Sequence, residues 1–251
     1  MKKSKKFVLA GLVLLAITMV LLPLAGCKTE VDTSSPQQEQ PGETDNGNND
    51  NDASVITTGD PAAFIAGITA AGTYTLVATN ECTDTAAIKE ALWALESRQP
   101  EARIHLNLSQ SGITSIGNRA FQYCSSLARV EIPSSVTSIG NSAFEGCSSL
   151  DSVTFQAGSQ LASIGNSAFY ECISLASVKI PTSVTSIGDD AFFGCSELST
   201  VKVEAEGPPI LGTNVFDATD AGLKIHVPGT SAGYYISNWS AYADKIEPIT
   251  S

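Results

Sequence analysis

The chain has 251 residues, with 26 acidic side chains against 14 basic ones and a formal net charge of −12. That balance argues against nucleic acid and against anionic lipid surfaces as general partners, because both would repel it. With 43% of its residues hydrophobic, a chain of this length has enough apolar side chains for one sizeable core.

Residues 1–26 read as an export signal. Lys2, Lys3, Lys5 and Lys6 precede an almost purely apolar run from Phe7 to Leu22, which is the order of a secretory signal peptide. The run ends in Leu24-Ala25-Gly26-Cys27, which resembles the bacterial lipobox. The resemblance implies cleavage before Cys27 and acylation of its sulfur and new amino group. An uncleaved membrane anchor is the competing reading, since the run is nearly long enough to span a bilayer. Small residues directly before a cysteine suit a peptidase and favour the lipoprotein. Loss of the four leader lysines from fourteen basic residues leaves ten against 26 acids, a net charge near −16. Membrane attachment then rests on acyl chains rather than on charge.

Residues 27–53 follow the acylated cysteine with Gln, Asn, Asp, Ser, Pro and Gly, and Val31 is the one large apolar residue among them. Such a stretch buries too little surface to offset its ordering entropy, so the expectation is a disordered tether. Residues 54–102 are expected to form an N-terminal cap. Asp60-Pro61 suits a helix start and Thr73–Thr79 suits a strand. Ile88, Ala91, Leu92 and Leu95 mark one face of a helix from about Asp84 to Arg98. Arg103–Leu108 then reads as the first strand of a ladder.

Residues 103–206 repeat. Units open at Ile113, Val136, Leu161 and Val184, in steps of 23, 25 and 23 residues. Each carries Ser-Ile-Gly, then Ala-Phe at Phe121, Phe144, Phe169 and Phe192, a Cys three residues later, and a Leu three residues after that. Gln156–Gln160 lengthens the second step and belongs at a turn. A period of 20–29 residues with spaced Leu, Ile and Val is the leucine-rich-repeat signature. The alternation at Val130 and Ile132 turns these two inward from a short strand and leaves Arg129 and Glu131 outward. Val136 and Ile139 supply a second inward edge, and Gly140 falls where a Cβ would clash. Ala143-Phe144 opens a short-helical or irregular convex segment.

The unit running from Val136 to Val153 resembles the BspA-type leucine-rich repeat of bacterial surface antigens. The tail, residues 207–251, resembles that family's usual ending through Pro208-Pro209, Phe216, the strand Leu223–Pro228, Tyr235, Trp239, Tyr242 and Ile246; it is expected to form the C-terminal cap. The implied fold is a leucine-rich-repeat solenoid with α+β caps, a parallel ladder of short strands and an irregular or short-helical convex side. The resemblance also implies secretion or surface anchoring and, for some members, binding to host matrix proteins or other cells.

Each candidate site has a plainer competitor. Cys124, Cys147, Cys172 and Cys195 align at one repeat position. A line of sulfurs cannot surround zinc tetrahedrally, and parallel Cβ vectors are poorly aimed for a disulfide. Small buried hydrophobes are the favoured reading, with Cys82 leaving an odd thiol count after Cys27 is acylated. Asn118, Asn141, Asn166 and Asp189 could suggest a calcium ladder, but one short side chain per rung beside Gly more often bonds turn backbone. No catalytic motif, cofactor loop or metal set is present. The candidate binding face is the outward side of the strands, formed by His105 and Asn107, Arg129 and Glu131, Ser152 and Thr154, Ser177 and Lys179, Thr200 and Lys202, and Lys224 and His226. Its four cations against one acid give a local balance near +3. It serves either as an extended surface for a host matrix protein, a glycan or another cell-surface protein, or simply as a polar strand face.

Overall fold

The computed structural model describes residues 54–58, 61–80, 82 and 85–249. The export signal, Cys27 and the tether to Ala53 lie outside these residues.

The described chain opens with β1 (Ser54–Thr58), α1 (Pro61–Gly67), β2 (Gly72–Ala78), α2 (Ala86–Glu96) and β3 (Ala102–Asn107). The helix buries Ile88, Ala91, Leu92 and Leu95, the face that their helical spacing defines. The expected start of the ladder needs correction. β1 pairs parallel with β2, and β2 with β3, so the strand at Arg103 is the third of the ladder and not the first. α1 and α2 serve as crossovers between parallel strands, and both bury residues in the same continuous core. This region therefore adds two strand-and-helix rungs to the stack, without the repeat's spacing.

The repeating rungs supply β4 (Leu127–Ile132), β6 (Ser152–Phe155), β8 (Ser177–Ile180) and β10 (Thr200–Val203). Between them lie the two-residue strands β5 (Ser138–Ile139), β7 (Ser163–Ile164), β9 (Ser186–Ile187) and β11 (Ile210–Leu211). The short strands pair in the order β11-β9-β7-β5 and form a second parallel sheet. The inward edge expected at Val136 and Ile139 is thus a sheet of its own. In the main sheet Val130 and Ile132 are buried while Arg129 and Glu131 are half-buried, as the alternation requires. The strand order is interrupted between β6 and β8. This is the step with the extra residues, where Gln156–Gln160 makes a turn closed by Ser159 N–H donating to the Gln156 carbonyl at 3.1 Å. Phe155, which holds the place of Ile132 and Ile180, is only half-buried there.

The convex side holds no helix in the repeating rungs. Backbone N–H groups of Arg119, Phe121 and Tyr123 donate to the carbonyls of Asn141, Ala143 and Glu145 in the next rung at 2.9, 2.7 and 2.7 Å, and later rungs repeat the pattern. A third inter-rung ladder therefore satisfies the backbone of a segment that is neither helix nor strand. Each rung bends through two left-handed residues to make it, such as Arg119 (φ 56°) and Tyr123 (φ 61°). Phe121, Phe144, Phe169, Phe192 and Phe216 stack inside this curve with ring centroids 5.1–5.5 Å apart.

The asparagines bond backbone. Asn118 Oδ1 accepts the Asn141 N–H at 2.8 Å, Asn141 that of Asn166 at 2.9 Å, and Asn166 that of Asp189 at 3.1 Å. A Cβ on Gly140 would lie 2.6 Å from both the backbone nitrogen and Oδ1 of Asn118. That glycine exists for close approach. The aligned cysteines are buried free thiols with an added role. Cys147, Cys172 and Cys195 donate through Sγ to the carbonyls of Phe121, Phe144 and Phe169 in the preceding rung, at 3.0–3.1 Å.

β12 (Lys224–Pro228), α3 (Ala232–Asn238) and β13 (Ile246–Ile249) close the C-terminal end. β12 and β13 extend the main sheet. Tyr242 takes the place of a further rung, its hydroxyl accepting the Phe216 N–H at 3.1 Å and donating to Asp217 at 2.9 Å. Trp239 Nε1 donates to the Pro209 carbonyl at 2.8 Å, and Tyr235 donates to that of Ala205 at 2.6 Å. Aromatic side chains here cover the last apolar face while their polar tips bond the free backbone groups.

Candidate binding face

Strand register places the candidate residues in two ranks. His105, Arg129 and Ser152 are successive partners across β3, β4 and β6, beside Asn107, Glu131 and Thr154. Beyond the interruption, Ser177, Thr200 and Lys224 align across β8, β10 and β12, beside Lys179, Lys202 and His226. Both ranks lie opposite the buried Val130, Val178, Val201 and Ile225 alternation. Some members are already used internally. Asn107 Oδ1 accepts the Ser109 N–H at 2.8 Å, and Thr154 Oγ1 donates to the Val130 carbonyl at 3.4 Å.

The charge balance expected for this face is corrected by acids arriving from just outside the alternation. Asp151, the residue before β6, bridges Arg129 Nε at 3.3 Å and Arg103 Nη2 at 3.4 Å. Glu204, the residue after β10, takes Lys179 Nζ at 2.9 Å. Glu247 on β13 takes Lys224 and lies 4.0 Å from His226 Nδ1; the Lys224 hydrogen bond holds its carboxyl below the ordinary value. With Arg103 and these three acids included, five cations face four carboxylates, a balance near +1 instead of +3. Arg103 was findable, being two residues before His105 on the same strand. Glu247 was not, because nothing local signals that β13 pairs with β12. These exposed pairs add little stability, about 0–1 kcal/mol each; their effect is to neutralise most of the face.

Away from this face, hydrogen bonds between neighbouring rungs shift two exposed groups. Tyr123 donates to Glu145 at 2.8 Å, and this hydrogen bond raises the phenol's pKa. The backbone N–H of Thr213 lowers that of Asp189. Among the described residues no group of three or more His, Cys, Asp or Glu side chains is arranged to hold a metal ion.

Stacked rungs, two parallel sheets and a turn-built convex side define a leucine-rich-repeat solenoid. The BspA type leucine rich repeat region matches residues 104–230 in six copies, and the chain belongs to that family. The match runs past Glu206 into the expected C-terminal cap, where β11 and β12 continue the two sheets. A leucine-rich repeat protein from Bacteroides ovatus is 23% identical, with 70% of this chain and 42% of that one covered and a TM-score of 0.48. The chain thus spans about two fifths of that protein's length. The T. pallidum leucine-rich repeat protein is 26% identical over 74% of this chain and 67% of its own, with a TM-score of 0.43. A leucine rich cell surface protein from Faecalibacterium prausnitzii is 17% identical, with coverages of 79% and 83% and a TM-score of 0.26. No curated protein matches.

Proposed function

We propose that this chain is a non-enzymatic, lipid-anchored surface module that binds a protein or glycan of a host or neighbouring cell along its strand face. The observation that carries the reading is the pair of outward polar ranks held in strand register across β3, β4 and β6 and again across β8, β10 and β12. A continuous core underlies that register, so the face is presented to a partner with little ordering left to do. Membership of the BspA type family supports a surface location.

Anchoring is tested at Cys27. Cys27→Ser is expected to abolish acylation and cleavage at the preceding bond. Intact-mass measurement of a wild-type chain that lacks acyl groups, or begins elsewhere, would remove the anchor from the proposal. Protease treatment of intact cells separates the two possible settings. Digestion supports the surface module, and protection supports an envelope scaffold whose partner is another envelope protein.

The face is tested by changing Arg129, Lys179, Lys202 and Lys224 together to Glu. In a matrix-protein and glycan screen the fourfold variant is expected to lose binding while its melting temperature stays near that of the wild type. All four side chains are exposed or half-buried, and exposed ion pairs contribute little to stability. Wild-type binding by this variant would move the site to the convex side or the ends.

A further inference from the structure

One position on the strand face differs from the rest. Arg103, Arg129, Lys179 and Lys224 each have a carboxylate within 4 Å. Lys202 is exposed and has none among the described residues. It sits in register between Lys179 on β8 and His226 on β12, each about 4.8 Å away across the sheet. Like charges placed directly opposite one another destabilise a sheet. Glu204 relieves Lys179 of that penalty, and no carboxylate among the described residues lies within 4 Å of the Lys202 ammonium. In the neighbouring rank Ser177 and Thr200 point outward, and neither hydroxyl has a hydrogen-bond partner among the described residues. Large exposed apolar side chains such as Tyr123, Ile210 and Tyr234 lie off these ranks.

Resting on the strand-face reading above, we infer that Lys202, flanked by Lys179 and His226 and by the hydroxyls of Ser177 and Thr200, is the face's anion subsite. Its ligand is a sulfate or carboxylate group of an acidic glycan. An ammonium supplies charge, and the two hydroxyls donate to the remaining acceptor oxygens. A glycan fits better than an acidic peptide because protein partners are gripped chiefly by apolar and aromatic anchors in buried pockets. These ranks offer none. Lys179 and Lys224 on the adjoining strands steer an anion inward while each is largely neutralised by its own carboxylate, so the subsite is local rather than a continuous basic strip.

The test uses the full chain with heparin, chemically desulfated heparin and polyglutamate as probes, at low and physiological salt. Lys202→Glu is expected to weaken heparin binding about tenfold or more, and Lys202→Gln several-fold, the scale on which paired interfacial charges act. Glu204→Gln, which releases Lys179 beside Lys202, should strengthen binding. Arg119→Gln, exposed on the convex side away from both ranks, should leave it within about twofold. If Lys202→Glu binds like the wild type while the fourfold variant has lost binding, the subsite is refuted and the face survives. If both bind like the wild type, the face falls as well. Weaker binding of desulfated heparin assigns the sulfate and equal binding the carboxylate, whereas preference for polyglutamate over both overturns the acidic-glycan assignment.

Discussion

Phe144→Ala is expected to lower stability by about 3–5 kcal/mol, the range for truncating a fully buried aromatic side chain. Its ring is 0% exposed and lies between those of Phe121 and Phe169, at 5.3 and 5.1 Å. Truncation removes one ring and both stacking contacts, each worth about 0.5–1.5 kcal/mol beyond area burial, so the upper half of the range is expected. In a stacked array the interfaces carry much of the stability, and amide exchange should therefore quicken in the rungs on both sides. Phe155→Ala, at the half-buried position beside the interruption of the main sheet, should lower stability far less. Thermal melting of the two variants checks both statements. Equal losses would mean that the Phe column does not form the centre of the stack.

Alkaline pH should unfold the array steeply. Burial pushes the thiols of Cys124 and Cys195 up to about 12 from an ordinary 9.0, and those of Cys147 and Cys172 well above it. Below pH 9 both folded and unfolded chains hold these protons, and the thiols' contribution is fully present. Above pH 9 the unfolded chain releases protons that the folded chain keeps, so stability falls at least until the folded thiols of Cys124 and Cys195 ionise near pH 12. Protons and free energy are linked by about 1.4 kcal/mol per proton and pH unit, which for four thiols sums to about 5 kcal/mol per pH unit. Two units of that slope match the whole stability of an ordinary domain. Tyr235 and Tyr242, which burial pushes up to about 12, act in the same direction. Denaturant titrations from pH 8 to 11 measure the slope, and Cys172→Ala should flatten it by about a quarter. Maleimide at pH 8 should label these thiols only after unfolding. Stability that stays flat above pH 9, or labelling of the native chain, would place the cysteines outside the core.

Much of this was legible in the sequence, for a physical reason. Val130 and Ile132 alternate against Arg129 and Glu131, and the same offset recurs every 23–25 residues, so one rung's register fixed that of its neighbours. Gly140 and Asn118 declared a close approach by recurring together. Features without recurrence stayed hidden. β1 and β2 join the ladder through helices whose lengths match no repeat, so the ladder's true start left no period to read. Asp151 and Glu204 sit one residue outside the strand alternation, where periodicity is silent about direction, and both fold back onto the cations. The bond from Cys147 to the Phe121 carbonyl spans 26 positions, and composition reveals only that the side chain is small. Tyr242 does for Phe216 what a neighbouring backbone does elsewhere, a substitution of side chain for main chain that no local pattern announces.

The contact between Asn118 and Gly140 is repeated by Asn141 with Gly165 and by Asn166 with Gly188, and it makes the junctions interchangeable. Excising residues 141–165 would bring Gly140 directly before Asn166, with Asn118 still behind the first and Gly188 still ahead of the second. Duplicating the same segment would add one more equivalent junction. Unequal exchange between the encoding DNA repeats can therefore shorten or lengthen the array without creating a mismatched seam. The reach of the molecule is then set by how many rungs the gene encodes, and each added or removed rung meets its neighbours through the same contact.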